Sequence, residues 1–170
     1  AHYEEIDKNC SLPMIIYSVP SRTGIDLTDE TLIALSAIPK IVAFKDAAND
    51  INRPLRLADK VSYHMLAGDD ASAVQYMLNG GVGCVSVASN IIPDQLQIMY
   101  DLFTNANADE AQELNGKLTT LLEALCIDTN PVPIKHIMAM NMLCLPNVRL
   151  PLVEISHDKA QYLSKLYHNK

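Results

Sequence analysis

Short apolar runs alternate with amphipathic segments over the first half of the chain. Each run is only four to six residues long, which is typical of strands buried in a parallel sheet. The four predicted strands are 14–19, 41–44, 62–67 and 83–87. Apolar positions at helical spacing lie between them and predict helices at 28–37, 53–59 and 71–78. This alternation predicts βα units with a parallel sheet, and therefore an α/β fold.

Local signals mark the ends of several predicted elements. Thr28 is a predicted N-cap, with Asp29 in the first turn of its helix. Asp70 is predicted to cap the helix at 71–78. The segment 20–24 contains Pro and Gly and is predicted to be a loop. Further helices are predicted at 2–8, 93–103, 109–125, 131–143 and 157–167.

Two architectures fit four βα units. One is an open doubly wound sheet, but no Gly-x-Gly-x-x-Gly follows the first strand, so nothing supports dinucleotide binding. The other is the second half of a (β/α)8 barrel, which has eight strands and about 250 residues when complete. The periodicity by itself leaves both open. We expect βα units over 1–92 and a final helix with a helical segment over 93–170.

Composition and charge narrow the class of protein. The net charge is −7 and the chain has no Lys/Arg cluster, which argues against a nucleic-acid surface. The apolar runs are too short to span a bilayer. The five histidines show no metal-ligand spacing, so no metal site is predicted. Scattered cysteines without a Cys-x-x-Cys pair predict reduced, buried thiols in a cytoplasmic protein: Cys10, Cys84, Cys126 and Cys144.

Three polar side chains follow or end neighbouring predicted strands. Lys45 comes directly after the strand at 41–44, and a buried amine that loses its proton is a good nucleophile. Tyr17 is suited to relaying protons, and Arg22 to binding a substrate carboxylate. Taken singly, each is more typical of a structural or surface residue, such as a lysine paired with Asp46. Their coincidence on the side where α/β enzymes hold their sites favours a shared active site.

Five motifs occur in order from one end of the chain to the other. They are Tyr17-Ser18-Val19-Pro20-Ser21-Arg22-Thr23-Gly24, Lys45-Asp46-Ala47, Gly68-Asp69-Asp70, Gly80-Gly81-Val82-Gly83-Cys84-Val85-Ser86-Val87 and Asn130-Pro131-Val132-Pro133-Ile134-Lys135. They resemble the Y-N-V-P-S-R-T-G, K-E-A, G-D-D, G-G-x-G-x-I-S-V and N-P-x-P-x-K motifs of the dihydrodipicolinate synthase family of lysine-dependent (class I) aldolases. Five motifs at matching spacing make the resemblance specific.

The resemblance implies an eight-stranded barrel whose fifth to eighth strands are the four in this chain. It implies that Lys45 forms an imine with pyruvate, and that the derived enamine attacks the aldehyde of aspartate semialdehyde in lysine and diaminopimelate biosynthesis. Tyr17 would relay protons and Arg22 would bind the carboxylate of the aldehyde. The residues implied to line the pocket are Gly68, Asn130 and, through its backbone, Val85. The covalent lysine imine would make a cofactor unnecessary, and the family assembles as homo-oligomers, with tetramers as its usual form.

The sequence departs from the family's pattern in the shape of the site and, more importantly, in motifs that are absent. Ser18 replaces Asn, Asp46 replaces Glu, and Val85 replaces Ile. The family's Thr-Thr-Gly-Glu motif and a second tyrosine belong to the first half of the barrel and do not occur in this sequence. The helix at 2–8 also opens without an N-cap residue. We therefore expect a fragment that is inactive or nearly so alone, and that associates with the N-terminal half or with a second copy.

Two other functions remain open. N-acetylneuraminate lyase and the keto-deoxy-sugar aldolases resemble this family in the lysine and the tyrosine, but they generally lack the arginine, so Arg22 argues against them. A non-catalytic half-barrel that serves in assembly is the second alternative. It has no need of Tyr17, Arg22 and Lys45 together.

Overall fold

A computed structural model describes residues 1–168 of the chain. Its four strands are β1 (Met14–Ser18), β2 (Ile41–Asp46), β3 (His64–Ala67) and β4 (Gly83–Cys84). They form one sheet in that order, and every neighbouring pair is parallel. The predicted α/β fold with a parallel sheet is therefore confirmed.

The chain divides into two compact units, Ala1–Ser86 and a second that begins at Val87. The helices of the first unit are α1 (His2–Asn9), α2 (Pro20–Thr23), α3 (Asp29–Leu35), α4 (Arg53–Leu57) and α5 (Ala73–Leu78). The second unit has a short 3-10 helix at Ala88–Asn90, followed by α6 (Pro93–Thr104), α7 (Ala108–Ala124), α8 (Val132–Met140) and α9 (His157–His168). Each helix predicted from periodicity is present, although several are shorter than expected.

Side chains alternate between the two faces of the sheet in the first unit. One face packs against α3, α4 and α5, and its buried residues in register are Ile16, Phe44 and Met65. On the other face Ile15 is 56% exposed, and Val42, at a register shift between β1 and β2, is 41% exposed. The helices of this unit therefore cover one face of its sheet, and the other face carries exposed apolar side chains.

The second unit has its own core. Buried side chains come from the inner faces of three helices: Leu118, Leu121, Leu122, Ile137 and Leu163. His136 on α8 hydrogen-bonds with the Ser164 hydroxyl of α9 at 3.1 Å, which joins the two helices by a polar contact. Over residues 1–168, no helix has both the length and the apolar character that crossing a bilayer requires.

Local chemistry explains where predicted and observed boundaries differ. The Thr28 cap is confirmed, since its hydroxyl accepts the Thr31 N–H at 3.3 Å. The predicted loop at 20–24 is instead the helix α2. Pro20 stands at its first position, and Gly24 ends it in the left-handed region with φ of 74°. Proline at the start and glycine just past the end are the residues that suit a short helix.

Two other boundaries were predicted wrongly. The helix expected at 71–78 begins at Ala73, with Ser72 rather than Asp70 at the N-cap position. The Ser72 N–H donates to the carboxylate of Asp69 at 2.9 Å, so the neighbouring aspartate organises this turn. The strand predicted at 83–87 is only two residues long, because the chain turns toward the 3-10 helix soon after it.

The four cysteines carry unbridged thiols, as predicted. The prediction that all of them are buried is wrong, because Cys126 is exposed and the other three are only half-buried. Packing around a cysteine depends on distant parts of the chain, so its spacing in the sequence gave no guide to burial.

Candidate active site

Lys45 and Tyr17 lie side by side near the carboxyl ends of neighbouring strands. They are partners in the β1–β2 register, so both side chains project from the face opposite the helices. The Nζ atom of Lys45 lies 4.1 Å from the centroid of the Tyr17 ring. The π-face of the ring attracts an ammonium at this distance. Lys45 is half-buried and Tyr17 is 46% exposed, so a small molecule can reach both.

The next residues of the same two strands, Ser18 and Asp46, point to the opposite face and are buried. Arg53 of α4 joins them. Its Nη1 donates to Asp46 Oδ2 at 3.1 Å, and its Nη2 donates to Asp26 Oδ2 at 2.5 Å. Asp26 also accepts a hydrogen bond from the Ser18 hydroxyl at 2.8 Å. We call Ser18, Asp26, Asp46 and Arg53 the Arg53 network. Asp46 therefore pairs with Arg53, and not with Lys45 as the simple structural interpretation of the lysine had it.

Burial and hydrogen bonding act in opposite directions on the carboxylates of the Arg53 network. It raises the pKa of Asp46, although the Ala48 N–H, which donates to its carboxylate at 2.9 Å, and Arg53 both oppose that rise. Burial acts in the same direction on Asp26, but hydrogen bonds from Arg53 and Ser18 outweigh it and lower its pKa. Arg53 is 4% exposed, and its guanidinium is compensated by carboxylates on both sides. A buried arginine needs this arrangement, since an uncompensated charge there is costly.

Gly68 follows β3 and lies against the residues that come after Lys45. Its N–H donates to the Asp46 carbonyl at 2.7 Å. A Cβ at this position would lie 2.7 Å from that oxygen and 2.8 Å from the Cβ of Ala47. Only glycine permits this approach, so Gly68 brings the end of β3 directly against the end of β2. Its predicted role in lining a substrate pocket is a separate matter and stays a prediction.

Arg22 and Val85 lie in the same unit as the lysine. Arg22 is on α2, five residues after Tyr17, and is exposed. Val85 follows β4, with its side chain 42% exposed and its N–H donating to the Ala67 carbonyl at 2.9 Å. That bond fixes the Val85 backbone at the carboxyl end of the sheet. Their roles with substrate stay predictions.

Asn130 belongs to the second unit, just before α8, where Pro131 occupies the N-cap position. The peptide bond between these two residues is cis. The place of Asn130 in the pocket stays a prediction.

Three residues that lie close to the site were not predicted from the sequence to do so: Asp26, Arg53 and Cys84. Burial, followed by the charges of Asp70 and Asp69, raises the pKa of the Cys84 thiol to about 12, against a lowering effect of Lys45. The sequence did contain a signal for Arg53 and Asp26. An arginine predicted to lie in a helix next to a strand end needs nearby carboxylates, and several aspartates flank it in the sequence.

Within residues 1–168, no group of three or more His, Cys, Asp or Glu side chains has the arrangement needed to hold a metal ion. The polar groups at the strand ends are an amine, a phenol and backbone amides. Such groups suit covalent and acid–base chemistry on a small carbonyl compound.

The fold and the site together define an α/β protein with a lysine–tyrosine pair at the carboxyl edge of a parallel sheet, the edge at which such proteins bind their ligands. The sequence matches the Dihydrodipicolinate synthetase family over residues 1–170. The chain belongs to that family, as the motifs predicted.

Curated relatives agree with this assignment. The chain is 38% identical over 167 residues to the 4-hydroxy-tetrahydrodipicolinate synthase of Rickettsia bellii (strain RML369-C), covering 97% of this chain and 57% of that protein. It is 37% identical to the protein of the same name from Rickettsia felis, with the same coverage. The chain therefore spans somewhat more than half the length of these relatives.

Solved structures are similar over the same extent. The 4-hydroxy-tetrahydrodipicolinate synthase of Methylacidiphilum fumariolicum SolV superimposes with a TM-score of 0.92 at 32% identity, covering 99% of this chain and 58% of that one. The dihydrodipicolinate synthase of Aquifex aeolicus gives a TM-score of 0.95 at 29% identity, again with 99% and 58% covered.

Proposed function

We propose that this chain carries the reactive lysine of a pyruvate-dependent lyase of the dihydrodipicolinate synthase type, which condenses pyruvate with aspartate semialdehyde to 4-hydroxy-tetrahydrodipicolinate. The observation that carries the proposal is the contact between the Lys45 amine and the Tyr17 ring, 4.1 Å apart on neighbouring strand ends. The names of the relatives support the same reaction.

In the proposed reaction the unprotonated Lys45 amine attacks the ketone carbon of pyruvate, and water leaves to give the imine. Loss of a proton from the methyl carbon gives the enamine, whose carbon attacks the aldehyde of aspartate semialdehyde, and the aldehyde oxygen takes up a proton to become the hydroxyl. The amino group of the aspartate semialdehyde then displaces the Lys45 amine from the imine carbon, which closes the ring and frees the lysine. Tyr17 is the proton relay, because its ring lies against the amine and its hydroxyl belongs to the same face. The protonated imine on Lys45 is the electron sink, so the proposal requires no cofactor.

Binding of substrate is assigned to groups around this pair. Arg22 is exposed next to β1 and is suited to a bidentate contact with the carboxylate of the aldehyde. Gly68, Val85 and Asn130 are assigned to the lining of the pocket. Arg22 is also the residue that argues against the sugar-acid aldolases, which generally lack it.

We infer that β1–β4 are strands five to eight of a (β/α)8 barrel, with βα units over 1–92 and the last helix and C-terminal helical segment over 93–170. The exposed Ile15 and Val42 support this inference, because a barrel strand buries both of its faces. Four further strands would come from the N-terminal half of the enzyme or from a second copy, within a homo-oligomer. Light scattering that finds a stable, dilute monomer of this chain would contradict the association.

Trapping with borohydride in the presence of pyruvate tests the proposed chemistry. We expect an adduct on Lys45 by intact mass and peptide mapping, and none in a Lys45→Arg variant. Lys60→Arg is the matched control, since Lys60 lies outside the site and its loss should leave the adduct in place. The same experiment on a version extended by the first half of a relative shows whether the pocket needs further strands. If neither folded protein gains an adduct, the enzyme proposal fails and a role in assembly replaces it.

A further inference from the structure

The Arg53 network connects two strands directly behind the candidate site. Tyr17 and Lys45 form one register pair of β1 and β2, and Ser18 and Asp46 form the next pair. Since successive residues face opposite sides of a strand, the second pair is the reverse side of the first. Whatever fixes Ser18 relative to Asp46 therefore also fixes Tyr17 relative to Lys45.

Arg53 supplies that connection through two carboxylates. Its guanidinium spans from Asp46 Oδ2 at 3.1 Å to Asp26 Oδ2 at 2.5 Å, and Asp26 holds the Ser18 hydroxyl at 2.8 Å. A second bond between the strands runs from the Ala47 N–H to the Ser18 carbonyl at 3.0 Å. The guanidinium is planar and presents its donors in a fixed fork, so it sets the separation of the two carboxylates.

The free-energy cost of burying these charged groups indicates that the Arg53 network does more than stabilise the fold. A buried charged cluster is often no better for stability than apolar residues of the same volume, and here burial raises the pKa of Asp46 in spite of its partners. Arg53 also lies 5.9 Å from the Phe44 ring, within a region that is otherwise apolar. An apolar core would have packed there without this cost.

We propose that Arg53 is a positioning residue, which acts through Asp46 and Asp26 to hold the Lys45 amine over the Tyr17 ring. The inference rests on the proposed function for its catalytic consequence, but the geometry it asserts does not depend on the substrate. Arg53 itself lies on the far face of the sheet, and its effect on Lys45 passes through the backbone of β2.

Arg56 offers a matched control on the same helix. It pairs with Asp29 at 2.9 Å and with Asp50 at 2.6 Å, on the exposed side of the Arg53 network. Arg53→Met and Arg56→Met thus each remove one guanidinium of α4, but only the first breaks the link between Ser18 and Asp46. Arg53→Lys keeps the charge and loses the fork.

The experiment measures the position of Lys45 with and without substrate. Acetylation by acetic anhydride, read by peptide mapping, gives the rate at Lys45 relative to exposed Lys117. We expect Arg53→Met to raise this ratio about threefold, because the amine leaves the ring. The ratio of Arg53→Lys should lie between those of Arg53→Met and the unvaried protein, and the ratio of Arg56→Met should equal that of the unvaried protein. In borohydride trapping, the maximal rate should fall about tenfold in Arg53→Met, while the pyruvate concentration for half-maximal rate changes less than about twofold.

Circular dichroism and thermal unfolding establish that each variant is folded at the assay temperature. If folded Arg53→Met keeps the acetylation ratio of the unvaried protein, or if Arg56→Met changes it equally, the positioning role is overturned. Should Arg53→Met not fold, Arg53→Lys and Asp46→Asn carry the same measurement. If neither the unvaried protein nor its extended version forms an adduct with pyruvate, the proposed function fails, and the acetylation ratio alone decides on positioning.

Discussion

The amine of Lys45 rests against the ring of Tyr17, with 4.1 Å between Nζ and the ring centroid. The two residues are 28 positions apart in the sequence and meet because β1 and β2 pair in parallel with Tyr17 and Lys45 in register. The contact uses the ring, while the proposed proton relay uses the hydroxyl. Ring and hydroxyl can therefore be tested separately.

Replacing Tyr17 by phenylalanine should keep the contact and remove the relay. We expect borohydride trapping of pyruvate on Lys45 to slow by about a hundredfold, because general acid–base catalysis contributes at least this much. The acetylation rate of Lys45 should hardly change, since the ring remains. Tyr100→Phe, at an exposed tyrosine of α6, serves as the control and should trap pyruvate at the normal rate. An unchanged trapping rate in Tyr17→Phe would remove the tyrosine from the mechanism.

The close approach of Gly68 to β2 predicts a steric effect on stability. In Gly68→Ala the new methyl group would overlap the Asp46 carbonyl and the Ala47 side chain, so we expect a loss of about 1–3 kcal/mol in the free energy of unfolding. Gly116→Ala is the control, because a Cβ there meets no atom within 4 Å in the middle of α7. It should stabilise by about 0.5–1 kcal/mol. Urea unfolding of both variants measures the difference, and equal effects would contradict the contact.

The raised pKa of Asp46 predicts the pH dependence of an Asp46→Asn variant. Burial favours the protonated carboxyl in the folded state, so its contribution to stability is complete below the ordinary pKa of 3.8 and is lost as the pH rises through the raised pKa. Asparagine resembles the protonated form and does not titrate. The stability of Asp46→Asn relative to the unvaried protein should therefore improve between about pH 4 and pH 7, as measured by urea unfolding.

Asp50 should behave in the opposite way and serves as the contrast. The Arg56 hydrogen bond lowers its pKa, against a smaller effect of burial. Its contribution to stability is present above 3.8 and is lost as the pH falls through the lowered pKa. Asp50→Asn should therefore cost more stability at about pH 7 than at about pH 3. If the stabilities of both variants follow the same trend with pH, the opposite pKa shifts assigned to Asp46 and Asp50 are wrong.

The thiol of Cys84 should react slowly. Its pKa is raised to about 12, chiefly by burial, so little thiolate is present near neutral pH, and the thiolate is the reactive form. Cys126 is exposed. With iodoacetamide at about pH 8, we expect Cys126 to be labelled at least about a hundredfold faster, as read by peptide mapping. Comparable rates would show that the end of β4 is open to solvent.

The sequence was sufficient to predict the order of strands and helices, because alternation of apolar segments is a local property. It also placed Tyr17 and Lys45 at strand ends, and parallel pairing then made their proximity predictable. Thr28 as a cap followed from its own side chain. Short motifs were enough to identify the family, since they combine several such local constraints at fixed spacing.

Only the tertiary structure decided the surroundings of the lysine. Arg53 reaches Asp26 across 27 positions, and Gly68 meets Asp46 across a strand and a helix, so neither contact leaves a periodic trace in the sequence. The sequence also left burial undecided. By their side chains Ile15 and Val42 look like core residues, yet the helices of their unit cover the other face of the sheet. Periodicity reports which side chains share a face, and the packing of distant segments decides which face is covered.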